Sequence, residues 1–226
     1  VGPIESIIWN QELVRVGLGE SIFVVGTAMA GPTIIAHGTP EQKSRYLEPL
    51  ARGDEIWCQL FSEPGAGSDL AALSARAVKD GDDWVVTGQE TWCSGAHYAD
   101  FGILLTRSDP SVPKHAGITY FLLDMRMPGI EIRPLRQMSG GSHFNDVFLN
   151  EVRIPDANRL GPAGAGWGAA MTTLLNERMA LGGTGGFFSF DDLAAFARTN
   201  RERLDGVTRD QLARLFTWNK TLDLLN

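Results

Sequence analysis

Residues 74–89 read SARAVKDGDDWVVTGQ, and the pattern either side of Asp80-Gly81-Asp82 decides the fold class. The stretch alternates on both sides of that turn. A period of two across an Asp-Gly turn is the pattern of a β-hairpin, because side chains at i and i+2 point to the same face of a strand. GITYFLLD (117–124) and GIEIRPL (129–135) repeat that period, so residues from Ile56 to about Ile154 read as a chain of antiparallel strands.

Outward from this block the period lengthens on both sides. Ile4, Ile7, Ile8, Leu13 and Val16 recur at helical spacing, and SIFVVGTAMAGPTIIA (21–36) is expected to form a buried pair of helices kinked at Pro32. Thr39, with Pro40 next and Gln42 three residues on, predicts a capping box opening another helix. Beyond the strands, GPAGAGWG (161–168) is read as a flexible entry to the helix AAMTTLLNERMALGG (169–183), expected to bury Met171, Leu174, Leu175 and Met179. A further helix is expected to start at Thr208 with Gln211. The fold class is therefore α+β: an N-terminal helical part over 1–54, a middle antiparallel β domain over 55–160, and the first helices of a C-terminal bundle over 161–226.

Composition narrows the functional classes. With 43% hydrophobic and 21% charged residues over 226 positions, the chain can bury a sizeable core. A formal charge of −7 opposes a general nucleic-acid or anionic-membrane surface, so any anionic ligand must be held locally. The longest apolar stretch falls short of the ~20 residues of a membrane span. Cys58 and Cys93 fit neither a disulfide framework nor a metal spacing, which leads us to expect a reducing, intracellular and in a bacterial cell cytoplasmic setting. His37, His97, His115 and His143 are scattered without metal-like spacing, and no metal is expected. A start at Val1 and an end at Asn226 inside an apolar pattern lead us to expect native sequence beyond both.

Two glycine-rich segments invite a ligand. SEPGAGSD (62–69) has a hydroxyl near each end and a bare backbone between, so its N–H groups can be approached closely. That suits a phosphate or a flat polar ring. Gly161, Gly164, Gly166 and Gly168 do not match the G-x-G-x-x-G dinucleotide pattern, and no strand-helix-strand unit surrounds them.

HGTPEQKSRYLEPLARGD (37–54), SEPGAGSDL (62–70), GQETWCSGAHYAD (88–100) and FLNEVRIP (148–155), in that order, resemble the acyl-CoA dehydrogenase family over nearly the whole chain. The resemblance implies FAD as cofactor and α,β-dehydrogenation of an acyl-CoA thioester to the 2-enoyl-CoA. A carboxylate removes the α-proton and the β-hydrogen leaves as hydride to flavin N5. It implies Gln59, Phe61 and Ser62 facing the flavin ring, Gly67 and Ser68 near ligand phosphate or pantetheine, and Trp92 and Ser94 as a second flavin segment. Glu177 falls at the position of the base in the branch that carries it on the helix after the β domain; another branch keeps its base later in the chain, beyond Asn226. Ser68 and Arg178 are expected near the substrate's CoA.

The family's arginine-aromatic-glycine segment, a contact to the adenine half of FAD across a subunit interface, is not reproduced in TNRERLDGVTRDQ (199–211). The resemblance implies an electron-transfer flavoprotein as acceptor and a homodimer or homotetramer, and the missing segment adds a heterotetramer to the possibilities. Two alternatives use the same scaffold: a flavin monooxygenase or oxidase, and a non-catalytic partner subunit of a heteromeric dehydrogenase.

Overall fold

The computed structural model describes Ile8, Glu12, residues 22–181 and residues 190–225; the expected helical positions Ile4, Ile7, Leu13 and Val16 lie outside them. Two compact units divide the chain after Arg178.

The first unit opens with a π-helical turn, Val25–Ala30, that runs directly into α1 (Gly31–His37). The expected kinked pair is thus one continuous winding whose pitch changes. Pro32, in the first turn of α1, brings no N–H, so one bond is left out of that winding just where the pitch changes. α2 (Pro40–Arg52) begins at the predicted capping box: Gln42 N–H donates to Thr39 Oγ1 at 3.2 Å, and Thr39 N–H to Gln42 Oε1 at 3.1 Å. The Gln42 amide also donates to the carbonyls of Ala157 and Arg159 at 2.8 and 2.9 Å, which ties the helix to the far end of the sheet.

Eight strands follow: β1 (Trp57–Leu60), β2 (Arg76–Asp80), β3 (Asp83–Glu90), β4 (Phe101–Arg107), β5 (Ile118–Asp124), β6 (Ile130–Leu135), β7 (Phe144–Pro155) and β8 (Arg159–Leu160). They pair in the order β6-β7-β3-β2-β4-β5-β8, with β1 alongside β4. The β2–β3 hairpin closes where expected, at Asp80 opposite Asp83, around Gly81 with φ +59°. Most pairs are antiparallel, but β1 runs parallel to β4 from Trp57 opposite Phe101 to Leu60 opposite Leu104, and β2 meets β4 in parallel at Arg76 opposite Arg107. The hairpin and its flanking loops form the crossover between β1 and β4, so the chain re-enters in the same direction. Local alternation carries no record of such a crossover.

The sheet separates two cores. Ile103, Leu105, Tyr120 and Leu122 join Trp57, Phe61 and the helical residues Met29, Ile34, Ala169 and Ala170. Leu104, Phe121 and Leu123 join Val86, Val147, Leu149 and Ile154. Strands buried on both faces read as continuous apolar runs, as β4 does.

α3 (Gly166–Leu181) leaves the sheet through the glycine-rich loop, which is pinned rather than loose. Gly164 N–H donates to Thr119 Oγ1 at 2.9 Å, and a Cβ on Gly166 would lie 2.8 Å from the backbone nitrogen of Tyr120. Only glycine allows that approach of helix to strand. The face of α3 that packs down is not the one expected. Ala169, Ala170 and Thr173 are buried, while Met171, Leu175 and Met179 are 46, 60 and 63% exposed and Leu174 is half-buried. Apolar residues spread around the helix give periodicity no single face to choose, and the small residues permit the closest contact with the sheet.

The second unit holds α4 (Phe190–Thr199) and α5 (Gly206–Leu225), joined by Phe190 and Phe216 with ring centroids 5.0 Å apart. α5 is capped by Asp205, whose Oδ1 accepts from Thr208 N–H at 2.8 Å, and not by Thr208.

Candidate functional site

The loop after β1 is built as a tight turn on a rigid foundation. Glu63 and Ala66 exchange backbone hydrogen bonds at 2.9 and 3.1 Å, and the Glu63 carboxylate accepts from Ser74 N–H, Ser74 Oγ and Ala75 N–H at 2.6–2.8 Å. One buried acid thereby closes the loop onto the start of β2, a role that the glycines and hydroxyls of the octet do not announce. Above the turn the chain is open: Cβ atoms on Gly65 and Gly67 would meet no heavy atom within 4 Å, and Ser68 is exposed. Asp69 is paired with Lys114 at 2.7 Å at the loop's outer end.

The second segment is clamped beside it. Thr91 N–H donates to the Ser62 carbonyl at 2.7 Å, and Cys93 and Asn145 exchange backbone hydrogen bonds at 3.0 and 3.1 Å. The Asn145 amide adds a third bond to the Cys93 carbonyl at 2.9 Å. Thr91, Cys93 and Gly95 are buried, while Trp92 and Ser94 between them are exposed. Trp92 is 62% exposed, adopts φ +59°, and touches Phe144 edge-to-face at 5.8 Å. A positive φ at a bulky residue costs of order 1–3 kcal/mol, and here it presents an indole to the open side.

Gln59 and Glu177, 118 residues apart, meet at this site: Gln59 Nε2 donates to Glu177 Oε2 at 3.1 Å. Gln59 is the half-buried position of β1, and Glu177 stands one helical turn beyond Thr173 on α3. Thr173 Oγ1 is bonded to Tyr120 OH at 3.1 Å and to Thr33 Oγ1 at 2.9 Å, all three buried. His37 bonds Thr172 Oγ1 at 2.8 Å, a second tie from α1 to α3.

Not every expected residue lines the open side. Phe61 is buried with its ring edge-to-face on Tyr120 at 5.8 Å, so it underlies the site instead of facing into it. Arg178 is exposed, and among the described residues neither it nor Ser68 has a side-chain hydrogen bond to Glu177. Both cysteines are buried and free; burial pushes the Cys58 thiol up to about 12 and the Cys93 thiol higher still, which leaves them inert. Among the described residues no cluster could hold a metal ion, and no helix is long and apolar enough to cross a membrane.

Residues 58–152 match the model of the acyl-CoA dehydrogenase middle domain, and residues 1–54 that of the acyl-CoA dehydrogenase N-terminal domain. The acyl-CoA dehydrogenase FadE34 of Mycobacterium tuberculosis is 52% identical over 179 residues, covering 79% of this chain and 25% of its own. The chain belongs to the acyl-CoA dehydrogenase family. Among solved structures, the Tcur3481-Tcur3483 steroid ACAD superposes with TM-score 0.84 at 35% identity, over 90% of this chain and 53% of that one. The ChsE4-ChsE5 complex from Mycobacterium tuberculosis gives TM-score 0.79 at 33% identity, over 97% and 58%. The chain thus spans between a quarter and a little over half of the relatives it matches.

The residues of this chain fit the cofactor that its family implies. An indole held out by a strained backbone, the hydroxyls of Ser62 and Ser94 without hydrogen-bond partners among the described residues, and open space above Gly65 and Gly67 together suit a flat polar ring carrying phosphates. Sequence reasoning missed Glu63, Asn145 and Thr173, which hold the site from beneath. It also missed Glu90, whose side chain is fully buried at the end of β3 with neither carboxylate oxygen hydrogen-bonded among the described residues. Burial, reinforced by the nearby Glu63, raises its pKa well above the usual carboxylate range.

Proposed function

We propose that the complete polypeptide is an FAD-dependent acyl-CoA dehydrogenase, converting an acyl-CoA thioester to its 2-enoyl-CoA, with Glu177 as the general base. The observation that carries this reading is the half-buried Glu177 held by Gln59 at 3.1 Å, on the same strand that leads into the open loop. Ser62, Gly67, Trp92 and Ser94 would hold FAD, and Ser68 and Arg178 would lie toward the CoA. When bound, FAD supplies the acceptor for the β-hydrogen and its electron pair. Glu177 takes the α-proton on the oxygen that Gln59 leaves free, and the buried face of α3 keeps that carboxylate at a fixed height above the sheet. An electron-transfer flavoprotein is the proposed acceptor of the electrons.

A heteromeric assembly is the second reading. It is favoured by the absence of the arginine-aromatic-glycine segment in 199–211 and by likeness to a complex of two named chains. The test of the main reading is spectroscopic. The purified complete polypeptide should take up FAD and show flavin absorbance that bleaches anaerobically on adding acyl-CoA; a protein that takes up no FAD refutes it.

A further inference from the structure

We infer that Gln59 is a positioning residue for the base: its side-chain amide aims the Glu177 carboxylate and keeps one oxygen of it free for the proton. The inference rests on the reading of Glu177 as the base. It goes beyond the expectation that Gln59 merely faces the cofactor, because one of its two amide N–H groups is engaged by Glu177.

Three features make Gln59 suited to this task. Its backbone is immobile: Cys58 and Leu60 on either side are fully buried, and β1 is in register with β4, with Gln59 opposite Ile103. Its chemistry is selective, since an amide N–H donates to a carboxylate without neutralising it, whereas a lysine or arginine would form an ion pair and weaken the base. Its place in the chain couples two functions, because Ser62, three residues on, holds the Thr91 segment through its carbonyl at 2.7 Å. One strand therefore fixes both the direction of the carboxylate and the loop against which substrate must lie.

Glu177 is constrained from the other side as well. Thr173, one turn earlier on α3, is bonded to Tyr120 on β5 and Thr33 on α1, which sets the rotation of the helix. Helix rotation brings the Glu177 side chain over β1, and Gln59 selects its final rotamer. Among the described residues Gln59 makes the one side-chain hydrogen bond to Glu177, so removing it leaves the carboxylate free to turn.

The test compares Gln59→Leu, which removes the donor, and Gln59→Glu, which keeps the shape and places a second carboxyl against the first. Anaerobic flavin reduction by saturating acyl-CoA is followed across pH, with FAD affinity measured alongside. Gln59→Leu should reduce the limiting rate about 10-fold with KM within about 3-fold of the parent, and should move the acidic limb of the pH profile upward. Gln59→Glu should move that limb further, because two facing carboxyls cannot both ionise freely. An unmoved acidic limb in both variants overturns the inference, and weakened FAD binding with an unmoved limb reassigns Gln59 to the cofactor alone. Glu177→Gln separates the two readings. If it retains the parent's reduction rate, the base assignment falls and this inference with it. If it loses reduction while the Gln59 variants behave as parent, only the inference falls.

Discussion

Glu90→Gln should make the protein more stable as pH rises, in spite of replacing an acid with its nearest neutral isostere. Glu90 has no exposed surface, and among the described residues neither of its carboxylate oxygens has a hydrogen-bond partner, so its charged form finds nothing to compensate the loss of water. Its folded pKa is raised, first by burial and then by Glu63, while in the unfolded chain it titrates near the ordinary value of about 4.3. A group raised on folding contributes stability that is whole below the unfolded pKa and is lost as pH climbs toward the folded pKa. The limiting slope is about 1.4 kcal/mol per pH unit. Glutamine keeps the shape and the same unpaired polar burial but carries no such slope. Above the unfolded value the variant should therefore gain on the parent as pH rises, by no more than that slope. Urea unfolding of both FAD-loaded proteins at several pH values measures the difference directly. A gap between variant and parent that does not change with pH would refute the reasoning, since it would mean that Glu90 titrates alike folded and unfolded.

Two other predictions concern the supports of the site. Thr173→Val keeps the branched shape but strips Tyr120 OH of its partner in a fully buried place, so it should cost about 1–3 kcal/mol in denaturant unfolding, and Thr33→Val added to it should cost less than its effect alone. Trp92→Ala, at a mostly exposed position with a strained backbone, should leave stability nearly unchanged while weakening FAD affinity; equal FAD affinity would place the indole outside the cofactor site.

What the sequence discloses of this molecule is what neighbouring residues determine. The capping box at Thr39 and Gln42 and the hairpin around Gly81 are decided within a few positions, and both appear as expected. The outward turn of Trp92 is not decided in that way, because it lies past the end of β3 on a positive φ that strand alternation does not supply. Asp205 displaced Thr208 as the cap of α5 because both residues offer an oxygen and only the backbone angle selects between them. The parallel pairing of β1 with β4 comes from a crossover of forty residues, and the packed face of α3 from three small residues amid larger apolar ones. Neither has a local signature. The contact of Gln59 with Glu177 joins strand to helix across most of the chain, so both residues could be singled out by sequence but not their meeting. Nothing in the local sequence marks Glu90, and only its surroundings make it unusual.

The claim that Glu177 is the base is tested most directly by anaerobic stopped-flow reduction of the FAD-loaded Glu177→Gln variant with saturating acyl-CoA. Glutamine retains an oxygen able to accept from Gln59 but cannot take the α-proton. FAD and acyl-CoA should still bind while the reduction rate falls by about 10²–10⁴-fold. A rate within a few-fold of the parent would contradict the account and move the base to another carboxylate.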